Sequence, residues 1–277
     1  LNKMVENNWL GDKTGQGFFK KVKTPDGKSD IQVLNLKTME YTARQRPKFA
    51  TLEAAKPIED LPARLKILIN GTDKAGEFYR QFHYSLFSYI SHRIPEISDE
   101  VYRLDDAMMA GFGWEIGAFE SWDASGVAKT TEAMKAAGFT VAKWVDDMLA
   151  AGHNTFYKVE NGKRLYYDIA GKTYKNLPGG DTFLVMKYFT NQTIWKNSSS
   201  RVYHLGDDVL GLEWNTKMNS IGGEVLESIQ KGISLAEEKY KGLVIANESA
   251  NFSAGANIGM IFMLAIEQDY DEIDMAI

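Results

Sequence analysis

The sequence predicts a mainly α chain whose C-terminal part turns α/β, and three patterns carry that expectation. Residues 64–150 repeat apolar side chains at helical spacing, punctuated by capping residues and glycines. Residues 201–277 run as two strands, a helix, a third strand and a small-residue loop that opens another helix. At 277 residues the chain is long enough for two domains or one large one.

Composition narrows the function classes. Net charge is −5 and the basic residues are dispersed, so no nucleic-acid footprint is expected. The local cluster Arg44-Gln-Arg-Pro-Lys48 is short, breaks at Pro47 and reads as a solvated linker. Zero cysteines exclude disulfides, thiolate nucleophiles and Cys-ligated zinc or iron–sulfur clusters, and no metal site is predicted. No apolar run approaches 18 residues and no signal peptide opens the chain. The expectation is a cytoplasmic protein without a transmembrane segment. Both ends read as cut: residue 1 is Leu, and Tyr270, Ile273 and Ile277 keep helical spacing up to the last residue.

In order along the chain, Leu1 to Asn7 predicts a short helix, followed by the glycine loop Trp9-Leu-Gly-Asp-Lys-Thr-Gly-Gln-Gly-Phe-Phe19. That loop contains Gly-Asp-Lys-Thr but lacks the first Gly and the preceding strand of a phosphate-binding P-loop. Residues 21–63 read as a linker holding a turn at Thr24-Pro-Asp-Gly27 and a short hairpin between Val33 and Tyr41. Thr51 to Ala55 reads as a helical turn, and a boundary is placed near Pro62.

Residues 64–155 read as a helical domain. One helix ends at Asn70-Gly71, and Phe78, Phe82, Leu86, Tyr89 and Ile90 mark one face of a long helix. A helix capped by Ser98 closes at Gly111, and two more helices cover Val127 to Ala137 and Val141 to Ala150. Between them, Phe112, Trp114, Phe119 and Trp122 are expected to supply core bulk. Glu120 and Asp123 suggest either a catalytic carboxylate pair or caps that cross-link neighbouring helices, and the second reading is preferred.

Residues 156–200 read as a hairpin turning at Asn161-Gly162, a loop over Gly171–Gly180, a possible helix from Asp181 to Tyr188 and a linker at Asn197-Ser-Ser-Ser200. Residues 201–277 place strands at Val202–Leu205 and Val209–Trp214, and a helix with Ile221, Val225, Ile229, Ile233 and Ala236 on one face. The strand Leu243–Ala246 then leads into Ser253-Ala-Gly-Ala-Asn257. A strand that ends in small residues and opens a helix leaves backbone N–H groups unshielded, and such groups bind anions or oxyanions.

Three segments carry resemblances. The order Leu-Gly-x-Lys-Thr-Gly-x-Gly-Phe-Phe near residues 10–19 is similar to the closing signature of the 3-hydroxyacyl-CoA dehydrogenase C-terminal domain. Asp105-Asp-Ala-Met-Met-Ala-Gly-Phe-Gly-Trp-Glu-Ile-Gly-Ala-Phe-Glu-Ser-Trp-Asp123 resembles the core of that domain, with Glu115 and Ala118 where the family often has Pro. The loop at 252–258 resembles the first oxyanion loop of the crotonase (enoyl-CoA hydratase) family. That family usually shows Leu-Asn-Arg-Pro-x-x-x-Asn-Ala-Leu where this chain has Trp214 to Ile221. Lys217 and Asn219 persist and the Arg-Pro is lost.

Together these imply the end of one dehydrogenase C-terminal domain in residues 1–20, a second helical copy, and the first part of a crotonase fold in residues 201–277. The implied parent is a bifunctional fatty-acid β-oxidation protein. It would oxidise 3-hydroxyacyl-CoA with NAD and hydrate trans-2-enoyl-CoA, and acyl-CoA thioesters would be its partners. The family's substrate-contacting Asn is not matched near Tyr79-Arg-Gln-Phe82, so the second copy reads as a structural duplicate. Its helices imply a possible homodimer. No Gly-x-Gly-x-x-Gly follows a strand, so no residue of this chain is assigned to NAD, and no bound cofactor is expected. His83, His92 and His153 read as ordinary helical or loop histidines.

By resemblance, the Ala256 N–H is the first oxyanion donor, and Ala254 and Gly255 are small so that a thioester can approach. Lys217 and Met218 would line the CoA, with the Lys217 charge available to phosphate. Asn257 stands where the family commonly has Asp. The second donor and the acid/base glutamates of the family match nothing here, and Glu248 and Glu267 are the nearest acids in sequence. The alternative reading is a non-catalytic acyl-CoA-binding or dimerisation module.

Overall fold

The computed structural model describes residues 1–45, 47–180, 182–248 and 251–276. Helix accounts for about 45% of the chain and strand for about 20%, in three small sheets. The fold is therefore mixed α/β, which corrects the mainly α expectation. The helical period of 64–150 was the louder signal, whereas most of the strands are short and interleaved with turn residues.

The chain opens with helix α1 (Asn2–Glu6) and the glycine loop. Thr14 closes that loop: its Oγ1 accepts from Leu10 N at 2.9 Å and lies 3.2 Å from the carbonyls of Gly11 and Gln16. Asp12–Thr14 forms only a single 3-10 turn and a strand follows, so the loop does not open an α-helix as a P-loop does. Strands β1 (Phe19–Lys23), β2 (Ser29–Asn35) and β3 (Glu40–Ala43) form an antiparallel meander. The expected hairpin is its second half, with Val33 opposite Thr42 and Leu34 opposite Tyr41.

Helices α2 (Ala50–Ala55) and α3 (Leu61–Asn70) follow. Pro62 lies in the first turn of α3, where its missing N–H costs nothing, and Asp60 caps that turn by accepting from Ala63 N at 2.9 Å. Helix α4 (Lys74–His92) is capped by Asp73, whose Oδ1 accepts from Ala75 N and Gly76 N at 3.1 Å each. Next come α5 (Val101–Phe112), α6 (Ala118–Ser125), α7 (Val127–Ala136) and α8 (Lys143–Ala150).

Several details differ from the sequence expectation. Helix α5 closes at Gly113 in the left-handed region (φ 68°), not at Gly111, and its N-cap is Glu100 rather than Ser98. The stripe of Phe78, Phe82 and Tyr89 is exposed, and the buried face of α4 is His83, Tyr84, Phe87 and Ile90. The two faces differ by one residue in register. Each is apolar enough to pass as the core face, so periodicity alone could not choose between them. Phe112 is exposed as well, whereas Phe119 and Trp122 are fully buried.

Phe87 and Trp122 stack at 4.9 Å and 3°, and Phe156 enters the same cluster 5.2 Å from Trp122 and 4.9 Å from Phe119. Such aromatic pairs contribute about 0.5–1.5 kcal/mol beyond the area they bury. Phe156 leads into strands β4 (Tyr157–Glu160) and β5 (Lys163–Asp168), which turn at Asn161-Gly162 as expected. A third strand, β6 (Thr173–Asn176), lies in the stretch read as loop. Tyr166 and Tyr167 of β5 share the helical core.

Met186–Gln192 forms a 3-10 helix; of the helix expected from Asp181 to Tyr188, Asp181 lies outside the described residues. Strands β7 (Thr193–Lys196), β8 (Ser200–Gly206) and β9 (Val209–Trp214) are antiparallel. The stretch Asn197–Ser199, expected as a linker, is the β7–β8 turn, held by Asn197 Oδ1 accepting from Ser199 N and Ser200 N. Helix α9 (Gly223–Lys239) then crosses to β10 (Gly242–Ile245), which pairs parallel with β9. Val202, Leu210, Leu212, Trp214 and Val225 form this unit's core, while Ile233 faces solvent. Helices α10 (Ile258–Glu267) and α11 (Tyr270–Ala276) complete the described chain. No helix among the described residues is long and apolar enough to cross a membrane.

Candidate functional site

The β9–α9 connection and the β10–α10 loop lie side by side, because the parallel pairing of β9 and β10 brings both C-terminal ends to one edge. Their packing is hydrogen-bonded throughout. Ile221 N donates to Gly255 O at 2.8 Å and Asn257 N donates to Ile221 O at 2.8 Å. Ala254 N donates to Met218 O at 3.2 Å, and Ser253 Oγ donates to Asn219 O at 2.7 Å. Asn219, buried, donates through Nδ2 to Asn251 O at 3.1 Å. Trp214 closes the base, with Nε1 on Asn219 O at 3.1 Å and its ring 5.4 Å from that of Phe252.

All six predicted residues are thereby brought to one place: Lys217, Met218, Ala254, Gly255, Ala256 and Asn257. The backbone there is unusual. Met218 and Asn219 are left-handed at φ 57° and 52°, and Gly255 stands at φ 90°, a conformation that side-chain-bearing residues rarely adopt. Ala256 pairs with Ile221 as a parallel bridge, and that register turns its own N–H away from Ile221. Ala256 is exposed, and its N–H has no acceptor among the described residues.

Lys217 and Asn257 line a cleft of about 350 Å³ together with Ser199, Thr216, Ser220 and Glu224. Met218, Ala254, Gly255 and Ala256 stand outside its lining, on the exposed shoulder above it. Asn257 has a structural duty: its Oδ1 accepts from Gly259 N at 3.1 Å and Met260 N at 3.4 Å, capping α10.

Glu224 is the one carboxylate of this cleft, and sequence reasoning missed it. Hydrogen bonds from the hydroxyls of Ser198 and Ser199 hold it below its ordinary pKa. A carboxylate so held is a poor proton acceptor at neutral pH. The signal that could have marked it is the serine run 198–200, whose first two hydroxyls the β7–β8 turn brings to Glu224 in the first turn of α9. Glu248 is engaged elsewhere: its Oε1 accepts from Met186 N, and burial pushes its pKa up. Glu267 is exposed near the end of α10.

The carboxylates of the helical unit act as cross-links. Glu120 Oε2 accepts from Gly117 N at 2.7 Å, and its Oε1 pairs with Arg164. Asp123 accepts from Phe156 N at 2.7 Å and Tyr157 N at 2.9 Å. Asp105, almost fully buried, accepts from Phe119 N at 2.9 Å, Glu120 N at 3.1 Å and the Tyr157 hydroxyl at 2.9 Å. Burial pushes both Asp105 and Asp123 up to about 7. The Tyr157 hydroxyl is raised by burial and by the Asp105 charge.

Histidines show no catalytic arrangement among the described residues. Buried His83 has Nδ1 2.8 Å from Tyr79 O, His92 has Nδ1 2.7 Å from Ser88 O, and His153 lies 5.3 Å from the rings of Tyr167 and Tyr174. No group of three or more His, Asp or Glu among the described residues is placed to hold a metal ion.

Known proteins resemble the chain along its whole length. The "Probable 3-hydroxyacyl-CoA dehydrogenase" of Bacillus subtilis (strain 168) is 38% identical over 279 residues, covering 100% of this chain and 34% of that protein. A "Putative fatty acid oxidation complex trifunctional enzyme" of Rickettsia prowazekii (strain Madrid E) is 24% identical over 276 residues, and one of Rickettsia felis (strain ATCC VR-1525 / URRWXCal2) is 22% identical over 280. Each match covers 99% of this chain and 34% of the relative. No family model and no solved structure matches the chain. The chain is thus related to proteins named for 3-hydroxyacyl-CoA dehydrogenation and fatty acid oxidation, and it spans about a third of the length of each.

Proposed function

We propose that these residues belong to a fatty-acid β-oxidation protein that joins NAD-dependent 3-hydroxyacyl-CoA oxidation to enoyl-CoA hydration. The shoulder formed by residues 216–222 and 253–257 is, in this reading, the first half of the hydratase's thioester site. One observation carries it: the Ala256 N–H has no acceptor among the described residues and is fixed by the bridge to Ile221, in a loop that hydrogen-bonds to the segment holding Lys217 and Met218.

In this reading the thioester oxygen accepts from Ala256 N. The flanking Ala254 and Gly255 admit the acyl carbon without steric conflict. Lys217 meets a phosphate of CoA, and Met218, exposed at the rim, covers the pantetheine arm. A preorganised donor of this kind contributes about 3–4 kcal/mol to an oxyanionic transition state in a dry site, and less while open to water. A base must also reach the α,β-bond. Glu224 is held ionised by serines, Glu248 is tied to Met186 and Glu267 lies on an exposed helix end, so none of the three is assigned that role.

NAD does not fit the residues present. The glycines at 11, 15 and 17 lie in a loop closed by Thr14, Gly111 lies in the last turn of α5, and Gly113 and Gly117 join α5 to α6, so neither set opens a helix after a strand. No hydride step is derived from this chain.

The test is crotonyl-CoA hydration by the 277-residue chain beside titration of the same thioester. The reading expects saturable binding without turnover. Turnover abolished by Glu248→Gln or Glu267→Gln would place the acid/base group inside this chain and overturn the role assignment. A non-catalytic acyl-CoA-binding module is the second reading, favoured by the engagement of Glu224, the carboxylate lining the cleft, by the hydroxyls of Ser198 and Ser199.

A further inference from the structure

On the face of the β7–β9 sheet turned away from α9 lies a polar cleft of about 520 Å³. It meets the Lys217 cleft only at Ser199. Val202 of β8 shares a core with Val225 of α9, so its neighbours Arg201 and Tyr203 point to the other face. Lys196 of β7 is the cross-strand partner of Arg201, and Arg201 that of Glu213 on β9, which sets three charges in one row. Lys187 flanks the row from the 3-10 helix that packs on Tyr203, and Asp60 reaches the cleft from the start of α3.

The charges of this cleft are not matched to one another. Among the described residues, Lys187, Lys196 and Arg201 form no ion pair. Arg201 also reaches the Tyr203 hydroxyl, a neutral group that leaves its charge uncompensated. Like charges directly opposite on a strand pair, with Cβ atoms about 4.5–5.5 Å apart, destabilise the sheet, and an anion bridging Lys196 and Arg201 would relieve that repulsion. The two carboxylates are each half engaged. Asp60 Oδ2 accepts from Ala63 N at 2.9 Å, and Glu213 Oε2 accepts from the Tyr203 hydroxyl at 2.9 Å. Their second oxygens accept nothing among the described residues, so each is open to a donor. Two adjacent cations beside two open carboxylate oxygens are complementary to a ligand that carries an anion at one end and hydroxyl donors at the other.

We propose that this cleft binds a small phosphorylated polyol, its phosphoryl group bridging Lys196 and Arg201 and its hydroxyls donating to Glu213 and Asp60. Lys187 adds charge at the flank. The proposal does not rest on the thioester reading, because it uses neither Lys217 nor the Ala256 N–H. Either can fail while the other stands.

Glucose 6-phosphate is titrated into the full chain by calorimetry, with inorganic phosphate, glucose and CoA as comparisons. Expected is saturable one-site binding of glucose 6-phosphate, weaker binding of phosphate and none of glucose. Lys196→Gln and Arg201→Gln each weaken glucose 6-phosphate by at least about tenfold, the loss of one charge-assisted hydrogen bond. Glu213→Gln narrows the gap between glucose 6-phosphate and phosphate, since it removes a repulsive charge and a strong hydroxyl acceptor together. Lys231→Gln, an exposed lysine on α9, leaves the affinity within about twofold. Circular dichroism melting of each variant separates lost binding from lost folding. No saturable binding by the folded chain, or affinity unchanged in both Lys196→Gln and Arg201→Gln, overturns the proposal. An equal loss in Lys231→Gln also overturns it, as the field of the whole surface would then be responsible. Phosphate binding as tightly as glucose 6-phosphate overturns the polyol assignment. Displacement of glucose 6-phosphate by CoA would do so too, because the cations would then belong to the nucleotide of the thioester.

Discussion

Replacing Asp105 with Ala removes one carboxylate and strands three donors. Phe119 N–H and Glu120 N–H, in the first turn of α6, and the Tyr157 hydroxyl all converge on it. Asp105 thereby links α5 to α6 and to the first strand of the β4–β5 hairpin. Each stranded buried donor costs about 1–3 kcal/mol. Water entering the vacated space recovers part of that, so the expected loss is about 3–5 kcal/mol, a large share of a typical domain's stability of about 5–15 kcal/mol. Asp105→Asn keeps one acceptor oxygen and is expected to lose roughly half as much. Urea unfolding followed by tryptophan fluorescence reads the change, since Trp122 is fully buried in this core. A loss below about 1 kcal/mol for Asp105→Ala, or equal losses for Ala and Asn, would refute the reasoning.

Asp105 and Asp123 also predict a pH dependence. Burial raises both to about 7 from the ordinary aspartate value of 3.8, so between those values the unfolded chain has released protons that the folded chain still holds. Stability therefore falls as pH rises from about 4 to about 7, and the urea midpoint should be higher near pH 5.5 than near pH 7.5, with a shallower slope in Asp105→Asn. Carboxylates held below their ordinary range, such as Asp73 and Asp168, act with opposite sign and at lower pH. Gly117→Ala would place a Cβ 2.2 Å from Asp105 Cβ and Cγ, so it should destabilise the same core by more than about 1 kcal/mol in the same unfolding assay. Asn257→Ala removes the α10 cap and should cost about 1 kcal/mol locally, read as faster amide exchange over residues 258–267, with Asn257→Asp close to wild type. Gly255→Ala forces a side chain into φ 90° and should weaken CoA thioester binding while leaving urea unfolding of the helical core unchanged.

How much was legible depended on whether a residue's role was local. The Asn161-Gly162 turn, the Asn70-Gly71 stop and the β8–β9 hairpin each follow from neighbours in sequence, and the structure has them all. The pairing of residues 216–222 with 253–257 was legible only through resemblance, because a parallel β9–β10 contact leaves no short-range mark. Asn257 illustrates the gap: its side chain caps a helix, a duty that the Asn-then-apolar pattern announces in sequence independently of any binding role. Strand β6 was missed because Gly171 and the Pro-Gly-Gly run around it outweigh four alternating residues. The choice of buried face on α4 was beyond periodicity, since both Phe78–Phe82–Tyr89 and Tyr84–Phe87–Ile90 are apolar. Only the partners across the core decide between them, and Trp122 lies 35 residues beyond Phe87 in the sequence.

The most direct test of the thioester-site account is amide NMR of the chain titrated with crotonyl-CoA. The account predicts saturable shifts of the Ala256 and Gly255 amides together with Lys217, and loss of the phosphate-dependent part in Lys217→Ala. Saturable binding that leaves Ala256 unmoved, or no binding at all, would contradict it.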